Sequence, residues 1–283
     1  MIDLHCHSKL SDGALPVPEL IRRAADEGIT HLAITDHDTM EGLEEALLTG
    51  KREGITVIPG VEISAFDVRR DKQVHILGLF IEPGHPAIKK LCDPILEERT
   101  RAAYEMTRKI ADAGYDITWR EVLHYAKGST AVYKQHIMHA LIDRGYADRI
   151  YGPLYNKLFS CGNNGKIGLA YTPVQYADVF EAIRAVKDAG GIPVLAHPKL
   201  LDNFDAIPDL AAAGLEGIET VHPVHGPSDE KLAGEYAEKY DLVETGGSDF
   251  HGCYGNYPLG RDIGYERYDQ LLEHYKTKIQ FVV

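Results

Sequence analysis

The chain has 283 residues, 44% of them hydrophobic and 26% charged, with a formal charge of −13. That length accommodates one large α/β domain, or a domain of about 200 residues carrying an insertion. The acidic balance excludes a protein that grips long duplex nucleic acid through a basic face, and no apolar run reaches the ~20 residues of a membrane helix.

The N-terminus opens directly into the strand-like Ile2-Asp3-Leu4-His5 with no basic or apolar leader, which points to a cytoplasmic protein. Pro16 to Glu27 follows with helical periodicity and stops at Gly28. Thr30 to Thr35 reads as a second strand, Thr39 to Glu53 as a helix ended by Gly54, and Ile55 to Ile63 and Val74 to Phe80 as further strands. From about Gly84 to Thr172 only helical signals occur: His85 to Ala113, Trp119 to Ala126, Tyr133 to Gly145 and Ile150 to Leu158. This stretch ends in a Gly/Asn-rich segment, Cys161 to Gly168, expected to be a mobile surface loop. Alternation then resumes. Helices are expected at Val179 to Ala189, Phe204 to Ala213 and Ser228 to Tyr240, and strands at Ile192 to Ala196, Gly217 to Val221 and Leu242 to Gly246. Repeated βα units imply a parallel sheet, open or closed into a barrel. The expected division is a βα catalytic domain of residues 1–83 and 173–283, with a helical insertion at 84–172.

Histidines and acids gather at the expected strand ends. His5 and His7 lie two residues apart, so a strand would point both imidazoles to one side. Asp12 follows in the turn Ser11-Asp12-Gly13. The second strand runs into Thr35-Asp36-His37-Asp38 and the third into Gly60-Val61-Glu62. His75, Ala196-His197-Pro198 and Gly247-Ser248-Asp249-Phe250-His251 complete the set. Sites in α/β folds assemble at the C-terminal ends of strands, so these residues are expected to converge on one metal centre. The four cysteines, Cys6, Cys92, Cys161 and Cys253, form no CxxC pair and support neither a disulfide framework nor a thiolate site. His31, His85, His124, His139 and His274 read as helix or surface residues; Asp3, Asp36 and Asp38 read as orienting or capping groups.

Asp12, Glu62 and Asp249 would contribute three negative charges against three divalent cations, leaving a centre of roughly +3 that attracts phosphate even in an acidic protein. Metals ~3.5–4 Å apart would share a bridging hydroxide as nucleophile, which suits hydrolysis of a phosphate ester. Imidazole and carboxylate ligands fit Mn, Fe or Zn, in two or three sites.

In order and spacing these motifs resemble those of the PHP (polymerase and histidinol phosphatase) family, over roughly residues 1–83 and 173–265. The resemblance implies a distorted (β/α)7 TIM-like barrel with an inserted small helical domain. It also implies that His5, His7, Glu62 and Asp249 hold one metal. Glu62, His75 and His197 would hold a second, and Asp12, His37 and His251 a third. The helical insertion is similar to that of a branch acting on nucleotides, which implies either a 3′,5′-bisphosphonucleotide 3′-phosphatase or a 5′–3′ exonuclease on short RNA. The expected partner is thus a small phosphorylated nucleotide or short oligonucleotide. That branch typically carries an Arg two residues before a His in the insertion; here Lys134 precedes His136, a point charge in place of a planar fork. By the same resemblance Lys134, His136 and His225 are phosphate-binding candidates. His225, His136 and Asp249 are the catalytic ones.

Three other readings are weighed. Histidinol-phosphate phosphatase lies within the same family. A metal-dependent amidohydrolase would need a bridging lysine, for which Lys199 is the one worth testing. A non-catalytic module would be expected to have lost some ligands, whereas all nine positions are filled.

Overall fold

In a computed structural model the structure describes residues 1–162 and 165–280. Asn163 and Asn164 of the Gly/Asn-rich segment lie outside the described residues. The strands are β1 (Ile2–Asp3), β2 (His31–Ile34), β3 (Thr56–Asp67), β4 (Lys72–Leu79), β5 (Ala177–Asp178), β6 (Ile192–Leu195), β7 (Gly217–Val221) and β8 (Val243–Gly246). Their order is β1-β2-β3-β4-β6-β7-β8, with β5 paired to the far end of β3. Backbone bonds from Leu4 N to Gly246 O (3.2 Å), Asp249 N to His5 O (2.8 Å) and His7 N to Phe250 O (2.9 Å) join the first strand to the last. The fold is the expected distorted barrel.

One strand departs from the expected parallel order. β4 runs antiparallel to both β3 and β6. The cause is local: β3 and β4 are joined by the short turn 68–71, in which Asp71 takes a left-handed φ of 55°. A turn that short can only return the chain alongside itself; a parallel neighbour needs a crossover of a dozen or more residues. The reversal places His75, in the first half of β4, at the same end of the barrel as the C-terminal ends of its neighbours.

The barrel helices are α1 (Val17–Asp26), α2 (Leu43–Glu53), α7 (Val179–Asp188), α8 (Ile207–Ala212), α9 (Pro227–Tyr240) and α10 (Tyr265–Gln280). α1 shows how sequence fixes such an element. Val17, Leu20, Ile21 and Ala24 recur on one face and are buried, proline sits in the first turn, and Gly28 (φ 76°) ends the run. α2 starts at Leu43, later than the expected Thr39, because Asp38 and Gly42 are both left-handed and hold residues 38–42 in turns. α10 was not foreseen; its Tyr268 and Leu271 pack with Ile2, Ala33, Ile58, Leu77 and Val194. Those five come from five strands, so they meet inside the curl of the sheet. Each fully buried Ile or Leu there contributes about 1.5–3 kcal/mol.

The helical stretch forms α3 (Pro86–Asp112), α4 (Trp119–Tyr125), α5 (Lys134–Asp143) and α6 (Pro153–Phe159). Its own core joins Met106, Ile110, Val122, Ile137, Met138 and Leu141. α3 is shared: Ile88 and Cys92 pack into the barrel core, while Ala102 to Ile110 belong to the helical core. No helix among the described residues is long and apolar enough to cross a membrane.

Candidate metal centre

Glu62 is the hub. Its Oε2 lies 3.2 Å from His5 Nε2, 3.1 Å from His7 Nε2 and 3.2 Å from His37 Nδ1, and its Oε1 lies 2.7 Å from His75 Nδ1 and 2.9 Å from His197 Nε2. The β3–β4 register explains part of this. Glu62 pairs with Leu77, so His75 is its diagonal neighbour on the same face. Asp249 Oδ1 approaches His7 Nε2 (3.2 Å) and His5 Nε2 (3.5 Å). Asp12 Oδ1 faces His251 Nε2 at 3.2 Å and His7 Nδ1 at 3.8 Å.

Local backbone geometry makes these approaches possible. The Ser11-Asp12-Gly13 turn folds back so tightly that a Cβ on Gly13 would sit 2.4 Å from His7 O. A Cβ on Gly247 would lie 2.4 Å from His5 N, so only glycine lets the strand carrying Asp249 pass the strand carrying His5. His197 (φ 26°) and Asp249 (φ 51°) hold left-handed backbones, which are strained for side chains of their kind.

Side chains around the hub fix which ring nitrogen faces inward. His5 Nδ1 is 3.0 Å from Glu219 Oε1, leaving Nε2 for the cluster, and His251 Nδ1 lies 2.8 Å from Asp249 O with the same result. Glu219 also accepts from His197 N at 2.7 Å. Asp36 accepts from Ser8 N, Ser8 Oγ and Ser11 Oγ; Asp3 accepts from Ser248 N and Gly260 N. Both acids brace the loops that carry ligands. Asp38 accepts from Ser64 N and pairs with Arg99 at 3.0 Å. His31, His85, His124, His139 and His274 stay outside the cluster.

Among the described residues four donor groups have all their ligand atoms within 4.8 Å of one another: His5, His7, Glu62 and Asp249; His7, Asp12, His37 and His251; His37, Glu62 and His75; and His5, Glu219 and His222. His197 meets the hub through Glu62 Oε1. His7 Nδ1 and His197 Nδ1 are buried without hydrogen-bond partners, and His5 Nε2 and His7 Nε2 face each other at 3.2 Å. Converging lone pairs around buried carboxylates fit a divalent cation far better than a hydrogen-bond network.

Electrostatics agree. Burial opposes ionisation of Glu62, but His37, His75 and His5 outweigh it and hold the carboxyl well below its usual range. Burial likewise disfavours a proton on His7, yet its bonds to Asp249 and Glu62 push the ring up to about 10. Without a cation the cluster therefore retains protons that metal binding must expel.

Of the residues that touch the cluster or line its cavities, Glu219, His222, Arg99, Tyr133 and Gln135 are among those not read as functional from the sequence. Glu219 had a signal, the one charged residue within the short buried strand β7. His222 stood next to the marked His225; its Nδ1 accepts from Val224 N, so its Nε2 points a proton toward Asp249 Oδ2, 3.6 Å away. Arg99, Tyr133 and Gln135 had none, because helical spacing in the insertion does not reveal which turn meets the barrel. Tyr133 donates to His37 O at 3.1 Å and Gln135 Nε2 to Asp12 Oδ2 at 2.7 Å.

Two cavities flank the cluster. One of about 160 Å³ is lined by Asp12, His37, His75, Arg99, Tyr133 and Lys134, among others. The other, about 320 Å³, is lined by Tyr151, Leu200, Asp249, His251, Asn256 and Tyr257, with Gly255. His136 is fully buried and off the wall of both; its Nδ1 accepts from Tyr133 N at 3.1 Å, and burial lowers its ring to about 4. His225 Nδ1 donates to Thr220 O at 2.9 Å, leaving a buried Nε2 without a partner. Lys199 is half exposed and 3.2 Å from Asp229, away from the cluster, so it bridges no metal.

The profile of the PHP domain matches residues 3–190. A phosphoribosyl 1,2-cyclic phosphate 1,2-diphosphodiesterase from Eggerthella lenta is 42% identical over 90% of this chain and 96% of its own. A 3′,5′-nucleoside bisphosphate phosphatase from Chromobacterium violaceum is 34% identical over 93% of this chain and 90% of its own. A 5′-3′ exoribonuclease from Haemophilus influenzae is 32% identical over 92% and 93%. Among solved structures, a metal-dependent phosphoesterase from Bifidobacterium adolescentis superposes with a TM-score of 0.86 at 29% identity, covering 95% of this chain and 94% of that one. With the fold, the ligand cluster and the sequence in agreement, the chain belongs to the PHP domain family as a metal-dependent phosphoesterase.

Proposed function

We propose that the chain hydrolyses a phosphate ester on a small ribose carrying two phosphoryl groups. One would be cleaved at the metal centre and the other held by Lys134 and Arg99. The observation that carries this reading is the placement of those two cations on the wall of the cavity that also exposes His37 and His75. A single scissile phosphate needs no second cationic pair beside a multivalent centre. The names of the relatives from E. lenta and C. violaceum each describe a ribose with more than one phosphate group, and that from H. influenzae a ribonucleic acid.

In this reading the ions sit in the three groups His5, His7, Glu62, Asp249; Glu62, His75, His197; and Asp12, His37, His251. Bound divalent ions, Mn, Fe or Zn, would supply positive charge and a water that deprotonates near neutral pH. The protein does the rest. Glu219 and the Asp249 carbonyl hold His5 and His251 in the ligating tautomer. Lys134, whose burial and proximity to Arg99 lower it to about 8, remains charged at neutral pH and can pair with phosphate. His136, buried off the wall of both cavities and kept neutral by burial, is not counted among the phosphate-binding groups. His225, with Nε2 open, is the better candidate to move the leaving-group proton. Residues 84–172 then act as a specificity cap on the barrel of 1–83 and 173–283.

The test is turnover by Mn-loaded protein of phosphoribosyl 1,2-cyclic phosphate, adenosine 3′,5′-bisphosphate, 3′-AMP and histidinol phosphate, with Asp249→Asn as control. Preference for either doubly phosphorylated ribose over 3′-AMP supports the reading. Turnover of histidinol phosphate alone overturns it.

A further inference from the structure

Asp12 is the one carboxylate of the cluster that is gripped from outside the barrel. Its Oδ1 faces His251 and His7, whereas its Oδ2 accepts from Gln135 Nε2 at 2.7 Å. The same amide donates to Tyr151 Oη at 3.0 Å, and Gln135 is 6% exposed. The helical segment also holds the backbone of the loop bearing Asp12: Thr130 N donates to Leu10 O (2.9 Å) and Ser129 Oγ to Ser11 O (2.7 Å). A neutral amide suits this place. It satisfies one carboxylate oxygen and fixes the rotamer without cancelling the negative charge, whereas a lysine or arginine would form an ion pair and compete with a cation.

We propose that Gln135, backed by Tyr151, is a positioning residue that holds Asp12 for the ion shared with His37 and His251, so that the seating of the helical segment sets the occupancy of that ion. The proposal rests on the ligand reading given above. Tyr151 also lines the cavity beside Asp249 and His251, so a substrate entering there touches the brace.

The test measures Mn content of the full chain after equilibration against graded free Mn, for wild type, Gln135→Leu, Tyr151→Phe and Asp12→Asn. Removing a group that orients a metal ligand typically weakens metal affinity about 10–100-fold. Gln135→Leu is expected to weaken one ion by that factor and leave the others within about twofold; Asp12→Asn should lose the same ion. Tyr151→Phe, which sits at a partly exposed position and does not endanger folding, should shift it in the same direction by less. Unchanged affinities in both Gln135→Leu and Tyr151→Phe overturn the proposal, as does equal weakening of every ion, and as does Asp12→Asn retaining all the Mn of wild type. Selective Mn loss with no turnover of any ribose phosphate by wild type would sink the substrate reading and leave the brace standing.

Discussion

The barrel and the helical segment meet at the same site but contribute in different ways. Barrel residues arrive largely as pairs: His5 with His7, Asp249 with His251, and Glu62 with His75 across the β3–β4 ladder. Helical residues arrive from separate helices. Arg99 comes from α3, Lys134 and Gln135 from α5, and Tyr151 from the approach to α6. The barrel supplies the cluster of histidines and carboxylates, and the helical segment lines the cavities and reaches Asp12 through Gln135. Chemistry should therefore follow the barrel, and substrate choice the segment packed on it.

The sharpest way to break that division is Glu62→Gln. All five histidine contacts of the hub depend on its two oxygens, so turnover should fall to that of chelated protein, read by phosphate release. Retained turnover would mean that the hub is dispensable. In the opposite region, Ile137→Ala removes a fully buried side chain from the helical core. It should cost about 2–5 kcal/mol of stability, followed by denaturant melts. In the folded fraction it should raise KM more than it lowers kcat.

Two pH experiments sharpen the contrast. In the metal-free protein the His7 ring is held at about 10 against an ordinary 6.5. Its stabilising contribution is thus full below pH 6.5 and lost as pH rises through about 10. A ligating imidazole must be neutral, so apparent metal affinity should rise with pH over that window, by about tenfold per unit for each proton expelled. Calorimetry in buffers of different ionisation enthalpy counts those protons. Lys134 shifts the other way, from 10.5 down to about 8. It loses its charge above about pH 8, so KM for the doubly phosphorylated substrate should climb there. Lys134→Arg should flatten that limb, because guanidinium stays protonated. The smallest effect is the control Arg108→Ala, at an exposed position of α3 where its pair with Glu105 is screened by water: no resolvable change in the melt and no kinetic consequence.

All nine residues read as metal ligands come together at one end of the barrel, and the βα elements fall close to their expected bounds. His5, His7, His37, His197, Asp249 and His251 follow closely on strand ends, Glu62 and His75 lie within β3 and β4, and Asp12 sits in the turn after β1, so period-two geometry and barrel closure leave most of them little freedom. Turn chemistry was legible too, since the tight fold-back after Ser11-Asp12 requires Gly13. The antiparallel β4 was missed because an apolar run carries no direction; the brief turn 68–71 was the only signal.

What the sequence by itself determined, then, was the set of histidines and acids that converges and the barrel that gathers it, since both depend on local periodicity and short-range turns. What only the tertiary structure decided was the surroundings of that set: Glu219 behind His5, His222 beside Asp249, Arg99 on the cavity wall, Gln135 on Asp12. It also separated His136, buried off the cavity, from Lys134 on its wall, though only two positions part them in the chain. These outcomes depend on how α3 and α5 rotate and dock on the barrel. Docking of helices is set by the sum of many weak apolar contacts spread over the chain, and no single motif records it.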